Sequence, residues 1–294
     1  MINGEIMKNS ISSEKITASF NTHGAEMTSL LFDGIEYIWQ GDPKYWKGQA
    51  PVCFPIVGSL KNNSILAYGK KCSMTIHGFA KKSEFQIADK TENSISFSLK
   101  ASEETRKEYP FDFELIITYT AKGNTLTTSF KVINTGDEDM PFCVGGHPAF
   151  NCPLDNGDYS DWYVEFEKEE HAACMRSDEN GFHNPDKRST RIDGTKLVLD
   201  HELFARDSMS FDNLVSRKAT LKSSKSEHGL TVEYEQFPNL VIWSAVGDAP
   251  FIALEPWKGL SFCSDEDGLF EHKHNVTILK PNETSVASFD ITVF

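Results

Sequence analysis

The sequence predicts one all-β domain of two large packed sheets spanning residues 1–294. Three observations predict it. Apolar and polar residues alternate at period two in many short segments, the pattern of half-buried strands. Those segments concentrate Thr, Val, Ile and Phe, which fit a pleated surface. Gly, Asn, Asp and Pro punctuate the gaps, and neither a Pro/Ser/Gly-rich linker nor a fixed-period repeat divides the chain.

The cleanest strand is Ser94–Lys100, SISFSLK. Residues 113–120 and 126–134 follow, joined by a hairpin turn through Ala121-Lys122-Gly123-Asn124. Further strands are expected at 162–166, 219–222, 230–234, 240–244, 251–255, 275–280 and 285–294. Helical signals are few. Ser102 is placed to cap a short helix that ends before Tyr109-Pro110, and residues 200–205 suit one brief helical turn. Residues 168–195 are rich in charge, Asn and Gly and lack a strand pattern, so they are expected to form a long functional loop.

Composition excludes some functions. With 29 Lys and Arg against 43 Asp and Glu, the formal charge is −14. Such a chain repels phosphate backbones and anionic lipid, so neither nucleic acid nor a membrane surface is an expected partner. The N-terminus is polar and lacks the apolar core of a signal peptide. No apolar run approaches the ~18 residues that span a bilayer, which predicts a cytoplasmic protein. The six cysteines are spread without a C-x-x-C pair and read as reduced structural thiols. The glycosylation triplets at Asn62, Asn275 and Asn282 then carry no weight.

Phosphate-binding loops, the dinucleotide glycine fingerprint and the G-x-S-x-G nucleophile elbow are absent from the sequence. His272 and His274 follow Glu271 in a charged, loop-like stretch, where a solvated surface outweighs a ligand set. The sequence therefore predicts no structural metal.

Three segments stand out. In Gly145-Gly146-His147-Pro148 two glycines permit close backbone approach and a proline fixes the chain after the histidine. A functional histidine and a tight-turn histidine are equally compatible with that spacing. In Ile76-His77-Gly78-Phe79-Ala80 a structural turn histidine is the simpler reading. In Phe251-Ile252-Ala253-Leu254-Glu255-Pro256-Trp257 a carboxylate ends an apolar strand, with Phe251, Ala253 and Glu255 on one face. A carboxyl there loses water, its pKa rises, and such groups mark sites. The plainer alternative is a strand-end glutamate reaching solvent or Lys258. Trp257 offers a flat apolar face suited to a sugar ring, or fills the core. Carboxylate and histidines without a metal or nucleophile motif suggest proton transfer.

These segments resemble the aldose 1-epimerase (galactose mutarotase) family, LacX-like branch, and the resemblance runs nearly end to end. It is carried by His23 to Leu30, Glu36 to Asp42, Ala50 to Gly58, His77 to Ala80, Tyr109-Pro110-Phe111, Gly146 to Asn151 and Leu254 to Trp257. The resemblance implies a large antiparallel β-sandwich with a few short helices, a small-molecule sugar as partner, and a cofactor-free isomerase. Glu255 would act as general base on the C1 hydroxyl and His147 as general acid on the ring oxygen, with His77 bonding near the reacting oxygens. Asp207 would hold ring hydroxyls, with Asp212 the competing choice. Trp257 and Phe150 would complete the substrate contacts.

One departure concerns charge. Where the family places an arginine after Pro55-Ile56-Val57-Gly58, this chain has Ser59, which supplies neither a fork nor a charge. Lys61 would point to the same face if the strand continued, and Lys81 stands at the second usual basic position. Alternatives to a hexose mutarotase are a weak or inactive sugar-binding homologue and a hexose 6-phosphate mutarotase. The sequence leaves oligomeric state open.

Overall fold

The computed structural model describes residues 9–177, 182–190 and 192–294. The polar N-terminal segment read above lies, through residue 8, outside them.

Two sheets dominate. One has nine strands and the other eight, and both are antiparallel along their ladders. A four-stranded sheet opens the described chain, and two-stranded ribbons complete the set. The expected strands are present with small boundary shifts. Phe113–Lys122 and Thr125–Asn134 pair over their full length, so the turn shrinks to Gly123-Asn124, with Gly123 at φ 59°. The helix is Glu103–Glu108, closed by a reciprocal capping box between Ser102 and Thr105. The second helical turn is His201–Phe204, capped by Asp200.

The core fills the space between the two large sheets. Ile95, Phe97, Leu115, Ile117, Phe130 and Val132 come from the nine-stranded sheet. Leu240, Ile242, Ile252 and Leu254 come from the eight-stranded one. Alternation then turns Val241, Trp243 and Glu255 to the opposite face of that sheet, where a cleft opens.

One expectation is overturned. Residues 168–195 are not an irregular loop: the strand Trp162–Glu170 extends into them, followed by the strands Ala173–Ser177, His183–Thr190 and Gly194 onward. Ala173–Ser177 and His183–Thr190 form an antiparallel pair at one edge of the eight-stranded sheet. An edge strand with one face to solvent tolerates charges and Asn, and that hid its period from the sequence.

All six cysteines are free and buried. Asn62, Asn275 and Asn282 all have positive φ, 54°, 57° and 65°, so these asparagines serve turns that suit their short polar side chains. Among the described residues no helix is long and apolar enough to cross a membrane.

Candidate active site

The cleft holds about 260 Å³, at the lower end of the ~300–1,000 Å³ typical of small-molecule sites. His77, His147, Asp207, Glu255 and Trp257 all line it.

Sheet register brings the acid–base candidates together. Gly145 pairs with Trp257 and Ala149 pairs with Ala253. The same register carried across the gap puts His147 opposite Glu255. The ladder breaks there because Pro148 has no N–H to give, while its carbonyl accepts from Leu254 N–H at 3.2 Å. On the other side His147 N–H donates to Pro51 C=O at 3.0 Å. Gly145 and Gly146 keep the strand close-packed: a Cβ on Gly145 would fall 2.5 Å from the Trp257 ring, and one on Gly146 2.8 Å from Phe289. His147 is thus fixed by backbone on both flanks, and Trp46 stacks on its ring at 5.0 Å between centroids.

His147 Nε2 lies 3.2 Å from Glu255 Oε2, with the two side chains 7% and 1% exposed. Oε2 has no aligned hydrogen-bond partner among the described residues. Burial raises the Glu255 carboxyl well above its ordinary range, helped by the charge of Asp207. Burial pushes His147 down to about 3, partly offset by its own backbone and reinforced by Lys81. Both shifts favour the uncharged forms, a protonated carboxyl beside a neutral imidazole.

His77 sits at φ 64°, a left-handed conformation unusual for a non-glycine residue. Two reciprocal bonds hold it: His77 N–H donates to Gly58 C=O at 2.8 Å, and Gly58 N–H donates to His77 Nδ1 at 3.1 Å. An Nδ1 that accepts places the proton of the neutral ring on Nε2, which becomes the donor for a ligand. Burial and the neighbouring His147 and Lys81 hold its pKa well below the ordinary imidazole value. Trp257 packs edge-on to His77, and its buried Nε1 has no hydrogen-bond partner among the described residues.

Asp207 lines the cleft at φ 73°, and Ser177 Oγ donates to its Oδ2 at 2.8 Å. Asp212 does not reach the cleft lining; it takes a two-pronged bond from Arg188 instead. Two other expectations place elsewhere. After Gly58 the strand does not continue: Lys61–Asn63 is a 3-10 turn with Asn62 left-handed. Lys61 therefore leaves the cleft and lies 5.9 Å from the Phe262 ring. The cleft's cation is Lys81, half-buried, with its pKa lowered by burial. Phe150 is wholly buried, turned into the core by the alternation that follows His147. Ser59 does line the cleft and lies 3.0 Å, oxygen to oxygen, from the Ser261 hydroxyl.

Sequence reasoning did not single out Trp46, Trp243, Ser177, Ser208, Ser261 or His183 as cleft residues. Trp46 and Trp243 lie within aromatic distance of His147. His183 belongs to the edge pair mistaken for a loop.

Among the described residues, one group of possible metal ligands lies outside the cleft lining: donor atoms of Cys263, Asp265 and His274 fall within 4.8 Å of one another. Asp265 and His274 already pair at 3.0 Å, and burial pushes the Cys263 thiol up to about 12. His272 pairs separately with Asp267, so the two histidines do not act as a set.

The family model for aldose 1-epimerase matches residues 7–292. The chain belongs to the aldose 1-epimerase family. It is 42% identical to the plasmid-borne protein LacX of Lactococcus lactis subsp. lactis, over 96% of this chain and 98% of that protein. A galactose mutarotase related enzyme from Lactobacillus acidophilus has a TM-score of 0.93 at 34% identity, covering 98% of this chain and 97% of its own. A galactose mutarotase-like protein from Lactobacillus casei ATCC 334 has a TM-score of 0.91 at 30% identity, covering 97% and 99%. The two large antiparallel sheets are thus the galactose mutarotase-like β-sandwich, as the resemblance implied. Family and structural likeness together support epimerase-type chemistry.

Proposed function

We propose that the protein interconverts the α and β anomers of a hexose by acid–base ring opening and reclosure. The observation that carries this reading is the buried pair His147 and Glu255, 3.2 Å apart in a cleft of monosaccharide size.

Anomerisation needs a proton removed from O1 and one delivered to O5. Both oxygens are bonded to one carbon, so donor and acceptor must lie close together. The step begins once the pair's proton has passed from Glu255 to His147 across the 3.2 Å gap: the Glu255 carboxylate then takes the O1 proton as the His147 imidazolium protonates O5, and the C1–O5 bond breaks to give the aldehyde. Rotation about C1–C2 presents the other carbonyl face. In the open state Glu255 holds a proton and His147 is neutral; reclosure runs the transfers backwards. The two stages differ only in where the pair's single proton sits, so no proton exchange with solvent is required. A pair that burial holds at one proton is suited to both stages. Each transfer contributes ~10²–10⁴ in rate. His77 Nε2–H and Trp257 Nε1–H supply donors for the sugar oxygens, and Asp207 accepts from ring hydroxyls.

The test is polarimetry or exchange NMR on freshly dissolved α-glucose and α-galactose. Anomerisation above the spontaneous rate that disappears in Glu255→Gln supports the reading. Saturable binding with no acceleration across an aldose panel defeats it and leaves a sugar-binding protein.

A further inference from the structure

One buried polar group of the cleft takes no part in the proton relay. His183 lines the cleft and is 2% exposed. Its Nε2 lies 3.3 Å from Ser210 Oγ, while its buried Nδ1 has no hydrogen-bond partner among the described residues. An unpaired nitrogen without water is costly, and native structures keep such groups where a ligand completes them. The backbone holds the ring in place. His183 N–H donates to Phe262 C=O at 2.9 Å, and its own carbonyl accepts from Ser264 N–H at 2.8 Å. Those bonds tie it to the segment bearing Ser261, another cleft residue.

Register fixes where His183 acts. Glu255 pairs with Val241, Val241 with Ser210, and Ser210 with Met175. Neighbouring strands lie ~4.8 Å apart, so Ser210 is roughly 10 Å across the sheet from Glu255. A hexose with a hydrogen bond at either end fills that span. His183, 3.3 Å from Ser210 Oγ, therefore stands about that far across the sheet from Glu255, at the end that a hexose with C1 between Glu255 and His147 would reach.

We propose that His183 is a specificity-determining residue of the cleft, hydrogen-bonding through Nδ1 to a sugar hydroxyl remote from the anomeric carbon. This deepens the epimerase reading and rests on it. Burial lowers the ring to about 4, against an opposing pull from Asp207, so it is neutral at neutral pH. A neutral ring suits a hydroxyl, which both donates and accepts, and so serves whichever tautomer Ser210 selects. A site built to bond one hydroxyl rejects the sugar lacking it or presenting it on the other side.

The experiment measures exchange-NMR kinetics and calorimetric binding for a hexose that the wild type accelerates and for its 2-, 3-, 4- and 6-deoxy analogues. His183→Ala is expected to raise KM for the parent sugar by about ten- to a hundredfold, with a much smaller change in kcat. For one deoxy analogue the wild type and His183→Ala should converge, and His183→Gln should restore part of the parent-sugar affinity. A uniform loss over parent and all analogues, or a fall in kcat at unchanged KM, overturns the proposal. Should His183→Ala fail to fold, ¹⁵N-imidazole spectra of the intact protein decide: sugar must move the His183 Nδ1 resonance, and an unmoved resonance overturns the proposal. A wild type that binds sugar without turning it over defeats the epimerase reading alone, because the deoxy pattern in binding still reads His183.

Discussion

The middle of the eight-stranded sheet and its edge build the two ends of the cleft in different ways. In the middle, His147, Glu255 and Val241 are held in a single cross-strand row by continuous register, with ladders on both sides. At the edge, Ser177 and His183 come from a strand pair that, among the described residues, joins the sheet through a single pairing, Met175 to Ser210. The middle suits proton transfer, which tolerates little displacement. The edge suits recognition, where a shift of the wall changes which hydroxyls are read. On the proposed function, chemistry sits on rigid elements and selectivity on the margin, a division of labour that mutations can separate.

The largest expected effect is at the middle. Glu255→Gln keeps shape and removes the base, so kcat should fall ~10²–10⁴-fold with melting temperature unchanged or raised. It should not fall, since Gln has no charge for burial to suppress, whereas folding must hold the Glu255 carboxyl in its protonated form. Single-turnover rates and thermal melts of the same preparation check both halves; a large loss of stability would mean that Glu255 is structural.

Gly78→Ala should act more on stability than on chemistry. Gly78 has φ 71°, and a Cβ there would fall 2.3 Å from the Phe54 carbonyl oxygen. Backbone strain and overpacking together should cost about 2–5 kcal/mol. The adjacent His77 would move with the turn, so any folded fraction should show a raised KM. Chemical denaturation measures the first effect and initial rates the second.

The pH profile sharpens the comparison. An ordinary imidazole titrates near 6.5, but His147 is lowered to about 3 and Glu255 is raised. The one-proton pair therefore persists as pH falls through 6.5. Enzymatic rate above the buffer rate should stay flat there and decline on the alkaline side, as the shared proton is lost. Stability behaves differently. His147 and His183 have folded values near 3 and 4, below their unfolded values. Their contribution is fully present above about 6.5 and is lost as pH falls towards the folded values. The lowered His77 acts in the same direction, and the raised Glu255 in the opposite one, its contribution present at low pH and lost as pH rises through its folded value. Thermal melts of Glu255→Gln at pH 7 and 5, where that opposing contribution is gone, should show the histidine loss, while the wild-type rate at 25 °C stays flat; a rate that tracks an apparent pKa near 6.5 contradicts the pair.

Much of the middle was legible because its signals are local and periodic. Alternation placed Glu255 on the face of Phe251 and Ala253, and the glycines and proline around His147 announced a constrained turn. That the two residues face each other was not legible without the resemblance, because register between strands more than a hundred positions apart leaves no mark in either segment. Lys61 failed for a local reason: Asn62 takes a left-handed conformation and turns the chain where a continuing strand was assumed. Phe150 failed by one step of alternation, the partner of a core position rather than of the cleft. The edge pair failed because charge and Asn on an exposed strand look like a loop. Its one buried histidine was indistinguishable from a surface one.

The smallest expected effect probes how that edge is held. Arg188 grips both oxygens of Asp212, at 2.5 and 2.9 Å, and ties the strand carrying His183 to the chain beyond Met209–Phe211. Both partners are about a quarter exposed, so the pair is partly screened and its loss should cost about 1 kcal/mol or less. Arg188→Met should therefore melt only slightly earlier. If the edge sets selectivity, the same variant should raise KM for the preferred sugar a few-fold, roughly the factor that 1 kcal/mol of lost order allows. It should leave kcat alone, because His147 and Glu255 hang on other strands. Initial rates against sugar concentration separate the two parameters. A change in kcat would mean that the edge and the middle move together, and the division drawn between them would fail.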